Sequence, residues 1–178
     1  MIIIDYNAVA IGAVMAFNAE HDPDLIRHTI LNSIRMYNKK FRDEYGQVVI
    51  AREGRSWRKE VFPQYKASRG TKREEDKRDW DLIFGTLNDV ADDLAANFPY
   101  KVIRVENAEA DDIIGALAYE SQEFGRHEPI MIVSADKDFI QLQKFNNVKQ
   151  FSPMTKKFVS ASNPRKYLFE HLMRRDSG

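Results

Sequence analysis

Asp5, Glu53, Glu109, Asp111, Asp112, Asp136 and Asp138 stand in short, widely separated motifs, each beside an apolar run. Asp5 ends Met1-Ile2-Ile3-Ile4, Glu53 follows Val48-Val49-Ile50-Ala51, and Asp136 and Asp138 follow Ile130-Met131-Ile132-Val133. Glu109, Asp111 and Asp112 open an apolar-periodic stretch. Hard oxygen donors in this number suit Mg2+ or Mn2+. Such cations serve phosphodiester hydrolysis, one generating hydroxide and a second stabilising the leaving oxygen. Acids brought close together repel one another unless a cation or protons intervene.

Each motif alone has a plainer reading. An Asp at a strand end is commonly a turn residue or helix cap. Glu109 and Asp112, three apart on one helix face, also suit the positive end of a helix dipole. Asp136-Lys137-Asp138 reads as turn chemistry, and Asp89, Asp92 and Asp93 as a solvated mid-helix face. The conjunction of motifs carries the metal-site reading.

The elements that must position these acids follow from periodicity. Short apolar strands are predicted at Met1 to Ile4, Gln47 to Ala51, Tyr100 to Val105, Pro129 to Ser134, Val148 to Phe151 and Lys157 to Val159. Helices are predicted at Ala8 to Phe17, Trp80 to Ala96, Glu109 to Phe124, Asp138 to Gln143, and from Asn163-Pro164 to Arg175. Asp22-Pro23 opens a further helix, as cap and first residue, in which Leu25, Ile26, Ile30, Ile34, Tyr37 and Phe41 repeat at helical spacing up to Tyr45-Gly46. Alternating strands and helices imply an α/β fold with a mostly parallel sheet covered on both faces. Ligands of such sheets bind beyond the carboxyl ends of the strands, where Asp5, Glu53 and Asp136 fall.

The chain has 178 residues, enough for one domain with a real core. It contains no cysteine, which excludes disulfides, thiolate metal sites and a Cys nucleophile and leaves oxygen ligands or four histidines. No stretch has the length of a membrane span and no charged-start signal peptide is present. Net charge is zero, but ten Lys/Arg against six Asp/Glu lie between Arg52 and Asp79. A basic segment opposite an acidic pocket attracts phosphate and holds cations.

Within that segment, Trp57-Arg58-Lys59, Phe62-Pro63-Gln64-Tyr65-Lys66 and Arg69-Gly70 interleave aromatic and basic side chains, a mixture that stacks on bases and clamps phosphates. A solvated surface helix is the alternative. Residues 55–78 read as a partly helical segment that substrate orders.

Phe62-Pro63-x-Tyr65-Lys66-x-x-Arg69, Glu109-Ala110-Asp111-Asp112 and Ser134-Ala135-Asp136-Lys137-Asp138-Phe139-x-x-Leu142 resemble the 5′-nuclease superfamily of flap endonucleases and 5′–3′ exonuclease domains. The stretch from Asn147 to Lys157 is most similar to its phage ribonuclease H branch. The resemblance, which runs from Asp5 to the C-terminus, implies a PIN-like α/β fold and a two-Mg2+ (or Mn2+) nuclease acting on 5′ ends, RNA primers or flaps of DNA or RNA–DNA in replication. It implies metal-site roles for Asp5, Glu53, Glu109, Asp111, Asp112, Asp136, Asp138 and Asp176, and catalytic roles for Arg58, Lys66 and Arg69. Nucleic-acid contacts fall to Tyr65, Trp57, Lys59, Lys72 and Arg73, on a helical arch at about 55–78. The setting implied is a monomer in the cytoplasm of a bacterial cell or its phage, with replication proteins as partners and no membrane.

Two departures stand out. Glu53 occupies a position where the family has Asp, and its extra methylene shifts a ligand by about an ångström. The family continues into a Gly-Asp-x-x-Asp-Asn motif and a helix–hairpin–helix region that this chain lacks beyond Asp176. A single domain over 1–178 is therefore expected, with a second metal site left incomplete. The rival readings are a non-catalytic nucleic-acid or replication-partner binding module, and a phosphatase using Asp136-x-Asp138.

Overall fold

The structure, a computed structural model, describes residues 1–67, 70, 73, 75–123 and 127–173. Its strands are β1 (Ile2–Asp5), β2 (Val48–Ala51), β3 (Lys101–Ile103), β4 (Ile130–Val133), β5 (Val148–Ser152) and β6 (Lys157–Val159). They form one sheet in the order β3-β2-β1-β4-β5-β6. All neighbours are parallel except β5 and β6, which pair antiparallel. Ile4 registers with Ile50 on one side and with Val133 on the other. The carboxyl ends of β1, β2 and β4 therefore lie level.

The chain leaves β1 for β2 on one side and returns through β4 on the other. The strand order thus reverses at β1, and the crevice beyond β1 and β4 is the place where open α/β sheets bind ligands.

Helices α1 (Tyr6–Ala16), α2 (Pro23–Tyr45) and α4 (Trp80–Asn97) cover one face. Their buried side chains pack on Ile2, Ile4, Val48, Ile50, Met131 and Val133. Helix α5 (Ala110–Glu120) and a 3-10 helix (Lys137–Lys144) cover the other face through Ile113, Ile114, Phe139 and Leu142, which meet Ile3, Ile130 and Ile132. Successive strand residues point to opposite faces, so strands buried on both sides read as unbroken apolar runs. A short helix α3 (Arg58–Val61) follows β2, and α6 (Pro164–Met173) packs on the 3-10 helix. Among the described residues no helix is long and apolar enough to cross a membrane.

The elements expected from periodicity are found, with local differences. α1 begins at Tyr6 because Asp5 is its N-cap and accepts the Ala8 N–H. Asp22 caps α2 through the Asp24 and Leu25 N–H groups, with Pro23 in the first turn. The element after Asp136 is a 3-10 helix rather than an α-helix. A period of three eclipses Phe139 and Leu142 on one buried face. The expected ends of α5 and α6, at Phe124 and Arg175, lie outside the described residues.

Candidate functional site

Asp5, Glu53 and Asp136 gather along one edge because each sits at or just past the end of a strand, and Asp111 faces them from the first turn of α5. Asp5 ends β1 and is 7% exposed. One of its oxygens accepts the Ala8 N–H at 3.4 Å and the other accepts the Ser134 hydroxyl at 2.8 Å. Ser134, fully buried just past β4, also receives the Asp136 N–H at 3.1 Å. Asp136 caps the 3-10 helix by accepting the Asp138 N–H at 2.9 Å, and its side chain stays on the open edge. Asp138 lies 3.3 Å from His171 Nε2 on α6, whose ring stacks on Tyr167.

Beyond β2, Arg52 donates its N–H to Ile103 and Gly54 to Ala108, both at 2.9 Å, so the ladder continues past the strand. Gly54 is required there. A Cβ would stand 2.4 Å from the Val105 carbonyl and 2.5 Å from that of Ala108. This close approach brings Glu53 to the start of α5, where it accepts the Ala110 N–H at 3.3 Å. Arg52 pairs with Asp92 and Asn88 of α4. Two members of the acidic stripe on α4 are thereby used in ion pairs, since Asp93 likewise pairs with Arg27 of α2.

Proton affinities record the crowding. Burial, above all, pushes the Asp5 carboxyl up to about 6 against the pull of the Ser134 and Ala8 hydrogen bonds, and Glu53 and Asp136 add to the rise. Burial and the charges of Asp5, Asp136 and Glu53 push Asp111 up to about 7.

Glu109 and Asp112 are organised differently. Glu109, 2% exposed, receives Arg58 Nη1 at 2.7 Å, Lys66 Nζ at 2.6 Å and the Tyr65 hydroxyl at 3.1 Å. Burial opposes its ionisation, but the Lys66, Tyr65 and Ser56 donors outweigh it and hold the carboxyl below the usual range. Arg58 also forks onto both Asp112 oxygens at 2.8 and 3.0 Å, which holds that carboxyl low as well. The Glu109 N–H donates to Asp112 at 3.0 Å, closing the first turn of α5. Lys66 reaches Glu109 from a left-handed backbone, φ 55°, which for a side-chain-bearing residue costs about 1 kcal/mol. The Arg58 guanidinium lies 4.9 Å from the Trp57 ring, which is 46% exposed beside it.

Of the residues singled out in the sequence, Asp5, Glu53, Asp111 and Asp136 share the carboxyl edge of the sheet. Glu109 and Asp112 face Arg58 and Lys66 at its margin. Asp138 turns toward α6, Lys59 is exposed on α3, and Arg73 lies over the Trp80 and Phe84 rings. Arg69, Lys72 and Asp176 lie outside the described residues. Residues to which sequence reasoning gave no role are Ser134, which stands inside one of the quoted motifs, Ser56 and Gln150. Their signal was slight: a serine directly before Ala-Asp, another before Trp57, and a glutamine inside an apolar strand.

Among the described residues no three acids or histidines already stand as a ready-made metal cluster. The donor set nonetheless fits a hard divalent cation. It consists of carboxylate oxygens on one edge, and their mutual repulsion shows in Asp5 and Asp111. A cavity of about 550 Å³ between Tyr119, Lys144, Phe145 and Pro164 includes none of these acids.

The family model described as 5′–3′ exonuclease, N-terminal resolvase-like domain, matches residues 1–169. The ribonuclease H of Enterobacteria phage T4 is 36% identical over 164 residues, covering 88% of this chain and 53% of that protein. A 5′–3′ exonuclease of Buchnera aphidicola is 29% identical over 128 residues, covering 71% and 41%. The chain thus spans about half the length of the curated relatives it matches. Among solved structures, the T5 5′-exonuclease with bound divalent zinc ions superposes with a TM-score of 0.66 at 22% identity, over 96% of this chain and 60% of that one. The bacteriophage T5 flap endonuclease in a pseudo-enzyme–product complex with DNA and metal ions gives 0.68 at 20%, over 96% and 59%. These likenesses match the PIN-like fold expected from the sequence.

Proposed function

The chain belongs to the 5′–3′ exonuclease N-terminal, resolvase-like domain family, and from that premise we propose that it hydrolyses phosphodiesters at 5′ ends or flaps of DNA or RNA–DNA with divalent cations. The observation that carries this reading is the set Asp5, Glu53, Asp111 and Asp136 on one open edge, bordered by Arg58 and Lys66.

Asp5, Glu53, Asp111 and Asp136 are the residues that would hold Mg2+ or Mn2+. When bound, such a cation supplies positive charge to the phosphodiester and acidifies water. Glu109 and Asp112 hold Arg58 and Lys66 at the rim, so these cations are already oriented when a phosphate arrives. Preorganised charge of this kind stabilises the transition state without reorganisation during the reaction. Tyr65 and Trp57 offer ring faces for an end base. Asp138, in the first turn of the 3-10 helix that Asp136 caps, contributes negative charge near α6. By sequence, Arg69 is a further candidate catalytic cation, Lys72 and Arg73 are candidate nucleic-acid contacts and Asp176 is a candidate metal-site acid; Arg69, Lys72 and Asp176 lie outside the described residues.

Such an activity belongs with primer or flap removal during replication in the cytoplasm, by a monomer working beside replication proteins. The test is cleavage of a 5′-flap duplex and an RNA–DNA hybrid with Mg2+ or Mn2+. Wild-type protein should cut, and Asp136→Asn should not. Equal cleavage by both, or binding without turnover in either cation, would overturn the proposal.

A further inference from the structure

Gln150 is an amide in a place built for an aliphatic side chain. It lies in β5, registered opposite Ile132 of β4, and is 0% exposed. A buried amide without partners is costly, so a valine or leucine is the simpler occupant. Here the amide is fully used. Its Nε2 donates to the Ser134 carbonyl at 3.0 Å and to the Asp136 carbonyl at 2.6 Å. Both hydrogens of one NH2 group thus hold two carbonyls of the same loop. Its Oε1 faces Gln143 Nε2 of the 3-10 helix at 3.4 Å, and Gln143 also donates to the Val159 carbonyl at 3.0 Å.

The loop so held joins β4 to the 3-10 helix and carries the edge chemistry. The Ser134 hydroxyl inside it donates to Asp5 and receives the Asp136 N–H. Asp136 itself bears the second of the two clamped carbonyls and caps the helix that follows. The backbone that aims Asp136 therefore has its carbonyls fixed from below by Gln150 and its N–H fixed by Ser134. A carboxylate that is exposed on its outer side is held by a core residue that touches no solvent.

We propose that Gln150 is a positioning residue for cation binding, fixing the Ser134–Asp136 loop so that Asp136 and Asp5 present their oxygens together. This rests on the divalent-cation reading above. It makes Gln150 specific to the site rather than to the core, because its donors go only to the loop that bears the acids.

The test uses Mn2+ alone as probe, with free Mn2+ followed by electron paramagnetic resonance and folding followed by circular dichroism and melting in EDTA. Gln150→Met keeps the volume and removes both donors. It should weaken Mn2+ binding by about tenfold or more, the usual size of an effect on a group that orients a metal ligand. kcat on a 5′-flap should fall in parallel while KM for the nucleic acid holds. Thr29→Val, which removes buried hydrogen bonds to Leu25 and Ile26 within α2, serves as a destabilised control and should leave Mn2+ affinity unchanged. Folded Gln150→Met with wild-type Mn2+ affinity overturns the proposal, as does an equal loss in Thr29→Val. Should Gln150→Met fail to fold, Gln150→Asn, whose shorter side chain withdraws the donors, is judged by the same two outcomes. Asp136→Asn separates the levels. If it binds Mn2+ as tightly as wild type, the cation site itself is misassigned and both proposals fall.

Discussion

Ser134 donates its hydroxyl to Asp5 at 2.8 Å, joining residues 129 apart in sequence at the point where the strand order reverses. The bond ties the carboxyl end of β1 to that of β4 and passes on to Asp136 through its N–H.

Replacing Ser134 with alanine leaves a 7%-exposed carboxylate without its side-chain donor. An unsatisfied buried polar group costs about 1–3 kcal/mol, and that loss should appear in urea unfolding of the metal-free protein. Affinity for Mn2+ should fall as Asp5 loses its orientation. Unfolding and Mn2+ titration curves superimposable on wild type would show that the bond is dispensable.

The acid edge makes the metal-free protein sensitive to pH. Asp5 is raised to about 6 and Asp111 to about 7, against about 4 in an unfolded chain. The folded state therefore keeps protons that the unfolded state releases, and stability falls as pH rises from about 4 through 7. Melting temperature in EDTA should decline over that window, and Asp111→Asn should flatten the decline. Saturating Mg2+ should reverse it, since ligation needs the deprotonated acids. A melting temperature that climbs over this window in EDTA would contradict the assignment.

Removing Lys66 or Arg58 strips the preoriented charge at the rim. Lys66→Ala and Arg58→Ala should each lower kcat by about 10²-fold, the size of effect seen when one transition-state donor is lost. KM should change less. The partly exposed Lys66–Glu109 pair should show a coupling near 1 kcal/mol in a double-mutant cycle on stability. A change confined to KM would place these side chains in ground-state binding instead.

Gly54→Ala should be poorly tolerated, because its Cβ would meet two backbone carbonyls at 2.4 and 2.5 Å. Overpacking of this kind costs about 1–3 kcal/mol. The forced shift moves Glu53 away from α5, and a displacement near an ångström lowers activity by about 10²-fold. Unfolding and flap-cleavage assays read both effects, and unchanged values in both would show that the loop yields freely.

Local signals were legible in the sequence because they depend on neighbours a few residues away. Unbroken apolar runs gave the buried parallel strands, Asp22-Pro23 gave the start of α2, and Asp136 followed by Lys137-Asp138 gave a capped turn. The acid motifs were readable for the same reason, since Asp5, Glu53 and Asp136 stand at or within three residues of a strand end and Glu109, Asp111 and Asp112 open a helix. The boundaries of α1 and the 3-10 character of Lys137–Lys144 were less legible. One turns on Asp5 acting as a cap, the other on which residues face the sheet.

The sequence by itself determined the order of elements and placed an acid at the end of β1, β2 and β4. Periodicity and capping are properties of contiguous residues, and both survive without knowledge of the fold. The tertiary structure decided that β1 lies between β2 and β4, so that those acids share one edge. It also separated the acids by partner: burial and mutual charge push Asp5 up to about 6 and Asp111 up to about 7, while Glu109 and Asp112 are neutralised by Arg58 and Lys66. That division arises from burial and from charges brought within hydrogen-bonding reach across 43 to 129 residues of chain, and only packing fixes such distances.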